Sequence, residues 1–137
     1  MTETLSAQDA SFELVEDHRR LDFLVDRLGA APDLPSLRRA LAELHTALRR
    51  HFTEEEKPGG LYDALGVCAA EFRPRLAALV DDHFRLAGTI RDLGERAGAS
   101  EPPSFPALRE EVARLVTALN DHERREHELV SEVSSRS

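Results

Sequence analysis

Apolar residues recur along this chain at steps of three and four through four long stretches, the spacing that lines one face of an α-helix. The pattern predicts helices over about 8–28, 33–57, 73–96 and 104–133. Gly29, the Pro58-Gly59-Gly60 run and the 98–103 stretch interrupt it. Asp33 and Ser104 stand where they can cap helices, and Pro35, Pro74 and Pro106 fall in first turns, where a missing N–H costs nothing. Residues 61–71 suit a short helix or an ordered loop across one end. Short connections make neighbouring helices antiparallel, so the expected fold is all-α, an up-down-up-down four-helix bundle. One domain spanning 1–137 is expected, with frayed ends at 1–7 and 134–137.

Polar residues break the apolar stripes at matched places. Leu44, Leu48, His51 and Glu55 follow steps of four, three and four, as do Leu115, Leu119, His122 and Glu126, so histidine and glutamate stand where packing favours leucine. The two segments share L-x-T-A-L-x-x-H-x-x-x-E at an offset of 71 residues. A second echo, Asp17-His18-Arg19-Arg20-Leu21 and Asp82-His83-Phe84-Arg85-Leu86, recurs at 65. The chain thus reads as an internal two-fold repeat, each copy a helix with His followed by a helix with His-x-x-x-Glu. Residues four apart lie about 40° apart around a helix axis, so each His/Glu pair points one way. Counting from the breaks, His83 and His122 lie within about 3 Å of one level, whereas His18 and His51 differ by roughly 10 Å.

A single buried histidine is ordinarily a hydrogen-bonded core residue. Four histidines and two glutamates on four stripes, with no inward Arg or Lys, leave buried negative charge to be balanced, and unpaired ions cost several kcal/mol each. A metal supplies that charge. The candidate ligands are His18, His51, Glu55, His83, His122 and Glu126. Six ligands in two halves exceed one tetrahedral zinc site but suit two ions, each held by two imidazoles and both bridged by two carboxylates. One oxo or hydroxo bridge would make each ion five-coordinate and leave a position for a small molecule.

Composition narrows the setting. A formal charge of −8 argues against nucleic acid or an anionic membrane as the main partner. Cys68 stands alone, which rules out an internal disulfide, suits a reducing cytoplasm, and reads as a small packed residue rather than a redox thiol. Neither a secretory leader nor an apolar run of about 18 residues is found.

The motif H…HxxxE…H…HxxxE, carried by His18, His51/Glu55, His83 and His122/Glu126, resembles the bacterial hemerythrin-like (HHE cation-binding) domains over essentially the whole chain. The resemblance implies a non-haem di-iron centre with four terminal histidines and bridging Glu55 and Glu126; manganese or a mixed pair is the alternative. Oxygen-carrying hemerythrins have an H-x-x-x-H pair on the third helix, whereas Leu79 precedes His83 by four here. The chain therefore resembles family members tied to oxygen or iron sensing, or to nitric-oxide and peroxide stress, more than carriers.

Around the motif, His45 is expected to support the site or the structure rather than ligate. His127, Glu56 and Glu123 are expected in solvent, Glu55 is preferred to Glu54, and Tyr62 is placed to cover the end of the site. Two functions follow: a di-iron protein that binds or senses dioxygen or nitric oxide, or a di-iron redox enzyme acting on peroxide or in repair. A sensor of this kind would signal through a protein partner or by releasing metal. The contrasting reading, a metal-free interaction bundle, predicts that His51→Leu with Glu55→Leu would stabilise the fold.

Overall fold

The computed structural model describes the backbone of residues 7–68 and 70–135 and side chains from His18 onward, Cys68 excepted. Four long helices form the bundle: α1 (Ala7–Gly29), α2 (Leu34–Glu56), α4 (Arg73–Ala97) and α5 (Phe105–Ser134). A short helix, α3 (Leu61–Cys68), and a 3₁₀ turn (Ala70–Phe72) lie between α2 and α4. The expected ends hold to within a residue or two. The side-chain expectation for Cys68 and the fraying of 1–6, 136 and 137 fall outside the described residues.

Local chemistry sets the boundaries. The Asp33 carboxylate accepts from Ser36 N at 2.9 Å and the Ser104 hydroxyl from Ala107 N at 3.2 Å, satisfying first-turn amides of α2 and α5. Proline stands in the first turn of α2, α4 and α5. After α2 the chain turns sharply. Gly59 has φ of +79°, and a Cβ on Gly60 would lie 2.5 Å from Glu54 O and 2.9 Å from both Glu55 O and Lys57 O. Only glycine lets α3 start so close to the end of α2.

Each long helix packs on two others: α1 on α2 and α5, α4 on α2 and α5. The ring closes around two apolar clusters. The larger holds Leu21, Leu28, Leu41, Leu44, Leu48, Phe52, Leu86, Ile90, Leu108, Leu115 and Leu119. The smaller, at the α3 end, holds Tyr62, Leu65, Phe72, Leu76, Leu79, Leu129, Val130 and Val133. Along α4 the order is Leu79, His83, Leu86; along α5 it is Leu119, His122, Glu126, Leu129. The predicted polar positions therefore form a layer between two dry ones. No described helix is long and apolar enough to cross a membrane.

Leu44 is fully enclosed. Leu44→Ala is expected to lower unfolding free energy by about 3 kcal/mol, read from urea denaturation, because transfer and cavity terms add there.

Candidate metal centre

Each ligand candidate projects from a helix interior, where neighbouring turns fix its direction. α1 supplies His18, α2 His51 and Glu55, α4 His83, and α5 His122 and Glu126. All are buried except His18, which is 15% exposed. Every imidazole turns Nε2 inward. His18 Nε2 lies 3.2 Å from Glu126 Oε1, and His51 Nε2 lies 3.3 Å from Glu55 Oε2. His83 Nε2 and His122 Nε2 are 3.2 Å apart. The His18 and His51 rings meet at 5.6 Å between centroids, closer than residue counting suggests. Side chains lean toward the N-terminus of their helix, so in antiparallel α1 and α2 these two reach toward one another and close the axial gap.

Each carboxylate touches both halves. Glu126 presents Oε1 to His18 and Oε2 to His122 Nε2 at 3.7 Å; Glu55 presents Oε2 to His51 and Oε1 to His83 Nε2 at 3.5 Å. The donors fall into two groups, His18/His51/Glu55/Glu126 and His83/His122/Glu126, with one ligand atom per residue all within 4.8 Å in each. Glu126 belongs to both groups. Burial pushes its pKa up, but bonds from His122, His18, Glu55 and Tyr62 outweigh this and hold it well below the usual carboxylate range. Burial likewise pulls His18 down, and the Glu126 carboxylate reverses the effect and holds it above its ordinary value.

Four residues do more than the sequence suggested. Tyr62, on α3, donates its hydroxyl to Glu126 Oε2 at 2.5 Å and lies 3.0 Å from His83 Nε2. Burial first, then the charges of Glu126 and Glu55, push its pKa far up, so it stays protonated. Glu56, expected in solvent, accepts from His83 Nδ1 at 2.7 Å. Asp82 is buried and accepts from His122 Nδ1 at 3.2 Å. The sequence did carry a signal for it, since aspartate precedes histidine in both copies of the repeat. Burial raises the Asp82 pKa, but bonds from His122, Arg125 and Arg85 lower it on balance. Glu123, also expected in solvent, is half-buried; burial raises its pKa to about 7, with Asp22 adding and His18 opposing. Glu54 pairs with Lys57 at the surface, and His127 is exposed.

These contacts leave the pocket short of positive charge. In the neutral tautomers that donate from Nδ1, His83 to Glu56 and His122 to Asp82, each Nε2 is left with a lone pair to offer a cation. Burial is the largest influence on His83 and lowers its pKa, keeping the ring neutral. Tyr62 has one proton, and it goes to Glu126. Two ring nitrogens 3.2 Å apart beside two carboxylates form a donor set of imidazole and carboxylate that divalent transition metals favour.

A helical bundle enclosing a His/Glu cluster of this kind defines a cation-binding protein. The chain belongs to the hemerythrin HHE cation-binding domain family, whose model matches residues 9–132. No curated protein and no solved structure matches it.

His45 stands apart from the cluster, beside Arg38 and Arg91 in a groove of about 620 Å³ between α2 and α4. Burial first, then the Arg49 and Arg91 charges, hold its pKa below 6.5. Its stabilising contribution is therefore complete above the unfolded value and is lost as pH falls through the folded one. His45→Gln is expected to flatten the decline of stability below about pH 6.5, measured by urea denaturation across a pH series.

Proposed function

We propose that this chain holds two iron ions in the His/Glu layer and binds or senses a small ligand there, dioxygen or nitric oxide. The observation that carries this reading is that Glu55 and Glu126 each offer one oxygen to each histidine pair. His18 and His51 would hold one ion, His83 and His122 the other, and the two carboxylates would span both. When bound, the iron pair supplies two neighbouring one-electron centres and a coordination position for the ligand. The chain's own contribution is the dry wall above and below, from Leu48, Phe52 and Leu119 on one side and Leu79 and Leu129 on the other. Tyr62 holds a proton against Glu126 within that space. The reading includes a cytoplasmic setting, and an output through a protein partner or metal release.

Protein expressed with iron and purified without oxygen is expected to contain about two irons per chain, with new near-ultraviolet absorption on exposure to dioxygen or nitric oxide. Two manganese ions would change the metal and keep the site. An iron-loaded protein whose spectrum responds to neither gas would end the ligand-binding reading.

Tyr62 favours a second reading, hydrogen peroxide disproportionation, in which two H₂O₂ yield one O₂ and two H₂O. Oxygen–oxygen cleavage builds negative charge on the departing oxygen, and the Tyr62 hydroxyl is a buried hydrogen-bond donor in the site. Tyr62→Phe is expected to slow peroxide turnover about 100-fold while leaving iron content at the wild-type level. Turnover no faster than free iron, and unchanged in Tyr62→Phe, would remove this reading without touching the first.

A further inference from the structure

We propose that Asp82 is the positioning residue for His122, holding the ring in the tautomer and orientation that let the His83/His122 half take up its cation. The proposal rests on the two-cation reading above and deepens it. A neutral imidazole can carry its proton on either nitrogen, and only the form protonated at Nδ1 offers Nε2 as a ligand. The Asp82 carboxylate, 3.2 Å from His122 Nδ1, selects that form. Its charge also makes Nε2 a stronger donor, as carboxylates behind metal-bound histidines do.

The two histidines of this half depend on their anchors unequally. The His83 ring lies flat against Phe52, with centroids 3.7 Å apart and planes 7° from parallel, and Tyr62 stacks on it at 5.4 Å. Its orientation is set by packing even before Glu56 is counted. His122 meets Phe52 at 5.9 Å and His83 at 4.9 Å, edge-on in both cases. Edge contacts do not set which ring nitrogen carries the proton. The Asp82 carboxylate at Nδ1 does.

Asp82 is itself held in place. Arg125 reaches Oδ2 at 2.5 Å and Arg85 reaches Oδ1 at 2.5 Å. Arg125 lies three residues after His122 on α5, so one helix supplies both the ring and a clamp on the ring's anchor. Arg125 also pairs with Asp121 at 3.1 Å, so removing Asp82 does not strand its charge. A purely structural role for Asp82, tying α4 to α5, has a control of its own. Arg96 on α4 makes a two-pronged bond with Glu111 on α5 at 2.9 and 2.7 Å, away from the layer.

Cation-free protein is titrated with cobalt(II), reading bound ions per chain, d–d absorption and thermal midpoint for wild type, Asp82→Leu, Asp82→Asn and Arg96→Gln. Wild type is expected to bind two ions. Asp82→Leu is expected to keep one and to bind the second about 10–100-fold more weakly. Asp82→Asn, whose amide oxygen still accepts from Nδ1–H without the charge, falls between. Arg96→Gln loses thermal stability without losing cobalt affinity. In the proton NMR spectrum of cobalt-loaded protein, the shifted His122 Nδ1–H signal exchanges with solvent faster in Asp82→Leu. Two ions bound by Asp82→Leu with wild-type affinity would overturn the proposal, as would a loss that Arg96→Gln reproduces. A single ion in wild type would end the two-cation reading and leave Asp82 judged on that ion, where unchanged affinity overturns its role. No cobalt uptake by wild type overturns both.

Discussion

Two glutamates and three histidines are shut into the middle of the bundle, with apolar layers on both sides. Carboxylates in such a place are held by hydrogen bonds, by neighbouring charge, or by a metal. Here the donors within reach are few: the Tyr62 hydroxyl and whatever protons the imidazoles carry. The outward nitrogens of His83 and His122 already give theirs to Glu56 and Asp82. What remains inside is a set of imidazole nitrogens and carboxylate oxygens converging on one another. The helix lengths, the glycine turn and the two apolar clusters all keep that set in place.

Much of the fold could be read before any coordinates, because the information was periodic. Apolar steps of three and four, capping residues at Asp33 and Ser104 and proline in first turns all act locally, within a turn or two of the residue concerned. The six inward polar residues were legible for the same reason: they interrupt a stripe, and the repeat interrupts it twice. Glu56 and Glu123 were not, since each lies off the stripe and reads as a surface charge. Their contacts, with His83 Nδ1 and with the Asp22/His18 neighbourhood, depend on where a different helix passes. Asp82 was hidden in the same way, although the repeated Asp-His dipeptide marked it.

Tyr62 shows how the near two-fold pattern is broken. The repeat predicts equivalent halves, and the six ligand candidates respect it. α3 lies in the connection between the two copies, from α2 to α4, whereas the breaks within the copies, at 29–33 and 98–103, join their helices directly. By adding one short helix after α2, the chain gives the His83/His122 side a phenol that the other side does not receive from α3. The asymmetry arises from a connection between helices rather than from the ligands themselves.

That connection is also tight. Gly60 sits so close to the last turn of α2 that three carbonyl oxygens crowd the place where a side chain would begin. Tyr62 follows two residues later, and Glu55 and Glu56 belong to the turn being crowded. Any side chain at 60 would push α3 off the end of α2 and carry Tyr62 with it, so the hydroxyl over Glu126 depends on a residue that never touches the layer.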